Sequence, residues 1–353
     1  MNKQGTTHIQ VNSSINNQWK QETFALADFA QFEIHVCEGD DTVFINQSLA
    51  VPATVYGAGG NDTVRTGSVD DYVDLGEGNN KIWSNSGNDT IITGSGNDEV
   101  WSGNGNDNVN AGDGNNKVWA GNDDDDVTTG DGCDEIFAGS GNDVADAGEG
   151  NNKVWGSDGD DILTTGSGDD EAFGGHGNDT INLGDGRNKA FGLTGFDTIT
   201  GGSGDDEIHG GDDNDIIVAG DGTNRLFGNN GRDIIIAGSG MDFAMGGNGH
   251  DAISLGAGND EVHAGPGKDV IVGGDGSERL FGGGGADLMI ANIAANEDSV
   301  TELQNALNDW INGDLADALV HLGLLSEDND DDRLWGGGDV DQLEGTLGDL
   351  LNQ

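Results

Sequence analysis

An apolar residue returns at every ninth position of this chain, with no insertion, from Val64 to Met289. The run begins Val64, Val73, Ile82, Ile91, Val100. Each apolar residue sits at the centre of a short x-apolar-x stretch, the signature of a brief strand with one face turned inward. Glycine-rich turns separate these strands, as in Gly94-Ser-Gly-Asn-Asp-Glu-Val-Trp-Ser102. Two residues before each apolar position stands a polar key residue. There are twenty-six of them: twenty Asp, five Asn and Glu278. Only 33% of the chain is hydrophobic, so an unbroken run of this length is not coincidence. A fixed period this short predicts a solenoid, because no single unit can bury its apolar residue alone. Two nonapeptides, turn–strand–turn–strand, make one flattened coil whose two apolar residues meet in a thin core. The expected fold class is all-β, a parallel solenoid of about thirteen coils of 18 residues.

The turns carry the chemistry. Glycines two and four positions before the key residue let the backbone bend tightly and expose its carbonyls. The key Asp adds a hard, charged oxygen. Carbonyls and carboxylates in a tight turn suit calcium, which takes about six to eight oxygen ligands. The expected metal-binding residues are Asp62, Asp71, Asp89, Asp98, Asp107, Asp125, Asp134, Asp143, Asp161, Asp170, Asp179, Asp197, Asp206, Asp215, Asp233, Asp242, Asp251, Asp260, Asp269 and Asp287. The unit resembles the RTX (repeats-in-toxin) nonapeptide, Gly-Gly-x-Gly-x-Asp-x-apolar-x, over residues 57–290. That resemblance implies a right-handed, calcium-bound parallel β-roll, and type I secretion with an uncleaved signal near the C-terminus.

Composition sharpens this picture. The net charge is -53 and there are 65 glycines. Stacked aspartates repel one another, and ordering glycine is entropically costly. The chain is therefore expected to be disordered until calcium, the one implied cofactor, supplies positive charge. No segment is long and apolar enough to span a membrane. Met1 to Lys20 is polar and lacks the apolar region of a secretory leader. Cytosolic calcium is too scarce to fold such a chain, so a secreted, extracellular or cell-surface location is expected. The negative charge argues against nucleic acid as a partner. Cys37 and Cys133 are not expected to pair, and the seven histidines show no zinc spacing.

Alternate repeats differ. One set of key residues, edge B, runs from Asp71 to Asp287 and is Asp at all thirteen positions. The other, edge A, alternates strictly: Asp62, Asn80, Asp98, Asn116, Asp134, Asn152, Asp170, Asn188, Asp206, Asn224. Each Asn is followed by Lys81, Lys117, Lys153, Lys189 or Arg225. The Asp residues between are followed by Glu99, Glu135, Glu171 and Glu207. Stacking places these as an alternating charge ladder on one outer face, where opposite charges on adjacent strands attract. Two residues further on the same face runs an aromatic row, Trp83, Trp101, Trp119, Phe137, Trp155, Phe173 and Phe191. It weakens at His209, Met245 and His263. An exposed apolar stripe of this length marks an interface, so these rings are the expected partner-binding residues. A second copy of the chain is the favoured partner and a polysaccharide the alternative.

Residues 1–56 are off register and read as an N-terminal cap, with Glu38 to Val43 a degenerate repeat and Phe24 to Phe32 a short capping segment. Residues 57–290 are the roll. Residues 291–328 read as a helical cap or excursion, with amphipathic helices at 297–310 and 314–325. Residues 329–353 read as a final coil, where Arg333, Leu334 and Trp335 match Arg279, Leu280 and Phe281, followed by a C-terminal secretion signal. The flanks leave no room for a catalytic domain, and neither His-Glu-x-x-His nor Gly-x-Ser-x-Gly occurs. No enzyme activity is expected. The expected role is structural, at the cell surface or in a matrix. A glycan-binding module ranks second. An ice-binding roll, or the accessory part of a toxin or enzyme, ranks below that.

Overall fold

A computed structural model describes residues 8–15, 18–25, 30–290, 300–313 and 318. The repeat folds as its alternation dictates. Strands such as Lys81–Ser86, Glu99–Asn104 and Lys117–Asn122 pair in parallel, each 18 residues from the last, with Val100 beside Ile82 and Val118. They belong to a fourteen-stranded sheet, sheet A. Strands such as Tyr72–Asp74, Thr90–Ile92 and Asn108–Gly112 form a fifteen-stranded sheet, sheet B. The polypeptide crosses between the sheets at every turn, giving a β-solenoid of about 14 turns. The apolar residue of every coil points between the sheets, and Ile82, Ile91, Val100, Ile136, Leu163 and Ile217 are fully buried.

The ladder extends upstream of residue 57. Phe32–His35 opens sheet B and Thr42–Phe44 opens sheet A. Here the spacing is 21 residues, Val43 standing beside Val64 and Phe32 beside Ala53. Further upstream, His8–Ile15 and Gln18–Ala25 form an antiparallel hairpin. Phe24 lies in its second strand rather than in a separate capping segment.

A helix, Val300–Asn312, lies against the outer face of sheet B rather than over an open end of the stack. Leu303, Ala306 and Leu307 form its buried stripe, at the three- and four-residue spacing of one helical face. They pack on Ile234, Ile236, Ala252, Val270, Val272 and Leu288, the outward residues of the last strands. Trp310 Nε1 donates to the Ala286 carbonyl at 3.0 Å, and Arg232 donates to Asn308 Oδ1 at 2.6 Å. Lys268 Nζ donates to the Ile311 carbonyl at 3.3 Å, putting a cation at the negative end of the helix dipole. Of the expected second helix, only Ala318 falls among the described residues, and it is buried in the same cluster. The expected final coil and secretion signal, 329–353, lie outside the described residues.

Candidate metal centre

Stacking turns the key residues into two buried columns. In each column, one carboxylate oxygen accepts the backbone N–H of the key residue one coil earlier. Asp89 Oδ1 accepts from Asp71 N at 2.7 Å, and Asp107 Oδ1 from Asp89 N at 2.8 Å. The Asn residues do the same, Asn116 Oδ1 accepting from Asp98 N at 3.0 Å. This bond locks the side chain and aims its second atom into the turn.

That second atom divides the residues sharply. In eighteen of the twenty expected Asp residues, Oδ2 is buried and has no hydrogen-bond donor. Buried polar atoms rarely go without partners, so a whole row of them fits a cation as their partner. Asp71 is different, because its Oδ2 accepts from Gly67 N at 3.0 Å. Asp287 keeps the ladder contact to Asp269 N at 3.2 Å.

The surroundings fit a hard cation. A methyl placed on Gly174 would meet Asp179 Oδ2 and, at 2.9 Å, the Gly192 carbonyl. A methyl on Gly246 would meet Asp251 Oδ2 and, at 2.6 Å, the Ala264 carbonyl. Carboxylate and carbonyl oxygens thus face the same small space. Among the described residues, no three His, Cys, Asp or Glu side chains converge on one point. That is consistent with a turn whose donors are mostly backbone carbonyls around one carboxylate. The two described cysteines are unpaired and exposed.

Burial makes these carboxylates costly to ionise without a counter-charge. It pushes Asp89, Asp125, Asp215 and Asp269 up to about 8, helped by the Asp one coil away on either side. Burial also raises Asp98, Asp134 and Asp170 on edge A, but only to about 6. Asp107, Asp143 and Asp179 on edge B are likewise raised to about 6, and Asp206 on edge A to about 7, so burial is the leading cause on both edges. A metal-free folded chain therefore binds more protons than the unfolded chain between the ordinary carboxylate value of 3.8 and about 8. Its stability is fully present below that ordinary value and is lost as pH rises through the raised ones. In EDTA, acidification from about pH 8 to about pH 5 is expected to increase β-structure. A circular dichroism signal that weakens on acidification would contradict this assignment.

Two members of the columns stand outside the expected metal-binding set. Asp41 N donates to Asp62 Oδ1 at 2.9 Å, and Asp41 Oδ2 is itself buried without a donor. The 21-residue first coil hides Asp41 from a nine-residue count. Glu278 holds a key position and its Oε1 is likewise without a partner.

The outer face of sheet A carries both expected ladders. Lys81, Lys117 and Lys153 each bond the Glu one coil later, at 2.9, 2.8 and 2.6 Å. These exposed pairs are each worth about 0.2–1 kcal/mol. The rings stack face to face. Trp83–Trp101 and Trp101–Trp119 centroids lie 4.7 Å apart with planes within 4°. The stack runs unbroken through Phe191 and His209 to Phe227, so His209 continues the row rather than weakening it. Stacking leaves the rings half-buried, not fully exposed. Their faces cover one another and their edges meet solvent, an arrangement that offers a sugar no ring face.

The family model described as RTX calcium-binding nonapeptide repeat (4 copies) matches eleven overlapping stretches running from residue 54 to residue 289, more than half of the chain. No curated protein matches the chain.

Proposed function

The chain belongs to the RTX calcium-binding nonapeptide repeat family, and we propose that it works outside the cell as a non-catalytic structural protein that calcium folds and that then self-associates. As in that family, the repeats bind multiple calcium ions and form a β-roll. The observation that carries the reading is the double column of buried Asp oxygens without donors. Calcium, when bound, supplies the positive charge these oxygens lack. The residues assigned to hold it are the key Asp residues from Asp62 to Asp269 whose Oδ2 is orphaned. The turn carbonyls beside them complete the ligand set. The repeats themselves contribute structure rather than catalysis. No described helix is long and apolar enough to cross a membrane.

Self-association is assigned to sheet A. Its ring edges form a straight strip from Trp83 to Phe227, bordered by the Lys–Glu pairs. A second copy offers an identical strip, and charges of alternating sign match when shifted by one coil. Burying a large apolar side chain is worth about 1.5–3 kcal/mol, so several part-exposed rings suffice to drive a dimer. Sedimentation in calcium is expected to show wild-type association that weakens in Trp83→Ser/Trp101→Ser/Trp119→Ser, while the circular dichroism spectrum keeps its β-signal. A wild type that stays monomeric in calcium removes this assignment.

A further inference from the structure

Five turns of edge A have no orphaned oxygen, because an amide nitrogen stands in its place. Asn80 Nδ2 donates to the carbonyls of Gly78 and Thr93, both at 3.1 Å, and to Gly76 at 3.3 Å. Asn116 Nδ2 donates to Gly112 at 2.8 Å, and Asn152 Nδ2 to Gly148 at 3.1 Å and Thr165 at 3.0 Å. Asn188 and Asn224 repeat the bond to the carbonyl four residues back, each at 3.2 Å. The orientation of each amide follows from its partners. Its oxygen must face the backbone N–H one coil earlier, so its nitrogen must face the carbonyls. A flipped amide would set oxygen against oxygen and N–H against N–H.

These carbonyls hold the same places in the turn as those around each Asp. In the Asp turns an ionised carboxylate oxygen faces carbonyl oxygens, and a cation is needed to bridge them. In the Asn turns two donor hydrogens already do so. A calcium ion there would have to displace the amide and would lose the one charged ligand of the turn.

We propose that the turns of Asn80, Asn116, Asn152, Asn188 and Asn224 are closed by their own amides and take no calcium. Edge A then loads ions only at alternate coils along this stretch, while edge B offers a carboxylate in every coil. Coils lie about 4.8 Å apart, so ions on edge A stand about twice as far from one another as ions on edge B. The Lys or Arg beside each Asn, and the Glu beside each intervening Asp, follow the same beat.

This inference rests on calcium folding the roll, and its test separates the two. Bound calcium is counted by elemental analysis after equilibrium dialysis, with circular dichroism on the same samples. Asn116→Asp/Asn152→Asp/Asn188→Asp is expected to bind three more ions than wild type. Asp134→Asn/Asp170→Asn is expected to fold and bind two fewer, its new amides closing both turns. The first variant folding with an unchanged count overturns the inference. So does the second variant failing to fold in saturating calcium, or folding with its count unchanged, which also decides the matter should the first variant not fold. A wild type that calcium does not fold at all would instead remove the proposed function.

Discussion

Withdrawal of calcium at neutral pH is expected to unfold the roll completely, and its return to rebuild it. The chain carries a net charge of -53, and its core is one apolar residue deep along each sheet. Against that core stand eighteen key Asp residues, each with a buried oxygen that has no donor. Leaving such a group unsatisfied costs about 1–3 kcal/mol, more when charged. A domain's whole stability is about 5–15 kcal/mol, so the sum of these costs exceeds it without the ion. Far-UV circular dichroism in EDTA should show a disordered chain, and millimolar calcium should restore a β-spectrum in a steep transition. A cooperative β-signal persisting in EDTA near neutral pH would sink the calcium-folded reading.

A single methyl group in a turn is expected to disrupt the stack almost as severely. Gly204 has φ +128°, a conformation that costs a residue with a Cβ about 1–2 kcal/mol. Its added Cβ would overlap the Gly186 carbonyl oxygen and lie 2.6 Å from the carbonyl carbon. That carbonyl belongs to the rigid backbone of the preceding coil, which cannot move without breaking the ladder. Gly204→Ala is therefore expected to cost more than about 3 kcal/mol. In a solenoid, where each coil touches only its neighbours, the damage should split the cooperative unit. Gly284→Ala is the matched control, since nothing lies within 4 Å of its added Cβ. Urea unfolding in saturating calcium measures both. Equal midpoints for the two variants would show that the turns tolerate far more than their packing indicates.

Most of the architecture was legible in the chain because a solenoid is held by contacts that repeat at fixed separation. Val100 beside Ile82 and Val118, Lys117 beside Glu135, and Trp101 beside Trp83 all follow from counting by 18. The key Asp residues were legible for the same reason. Asp41 was legible only as part of a degenerate repeat, because three extra residues in the first coil break the count although the ladder itself continues. The sequence carries one further signal, for a covered outer face. The strands Ile234–Ile236 and Val270–Val272 are apolar at all three positions, and such strands must be covered on both faces.

The sequence by itself determined the period, the parallel register, the two unlike edges and the one face that carries charges and rings. Each of these depends on a residue and its neighbour one coil away, a relation that periodicity encodes directly. Only the tertiary structure decided that the helix lies along sheet B, since Leu303 and Leu307 meet Val270 and Val272 across a separation no repeat specifies. Only it turned the rings face to face, and only it set the Asn amides in line with the orphaned Asp oxygens. Those outcomes depend on where side-chain atoms point once the backbone is fixed. A pattern of residue types does not record that direction.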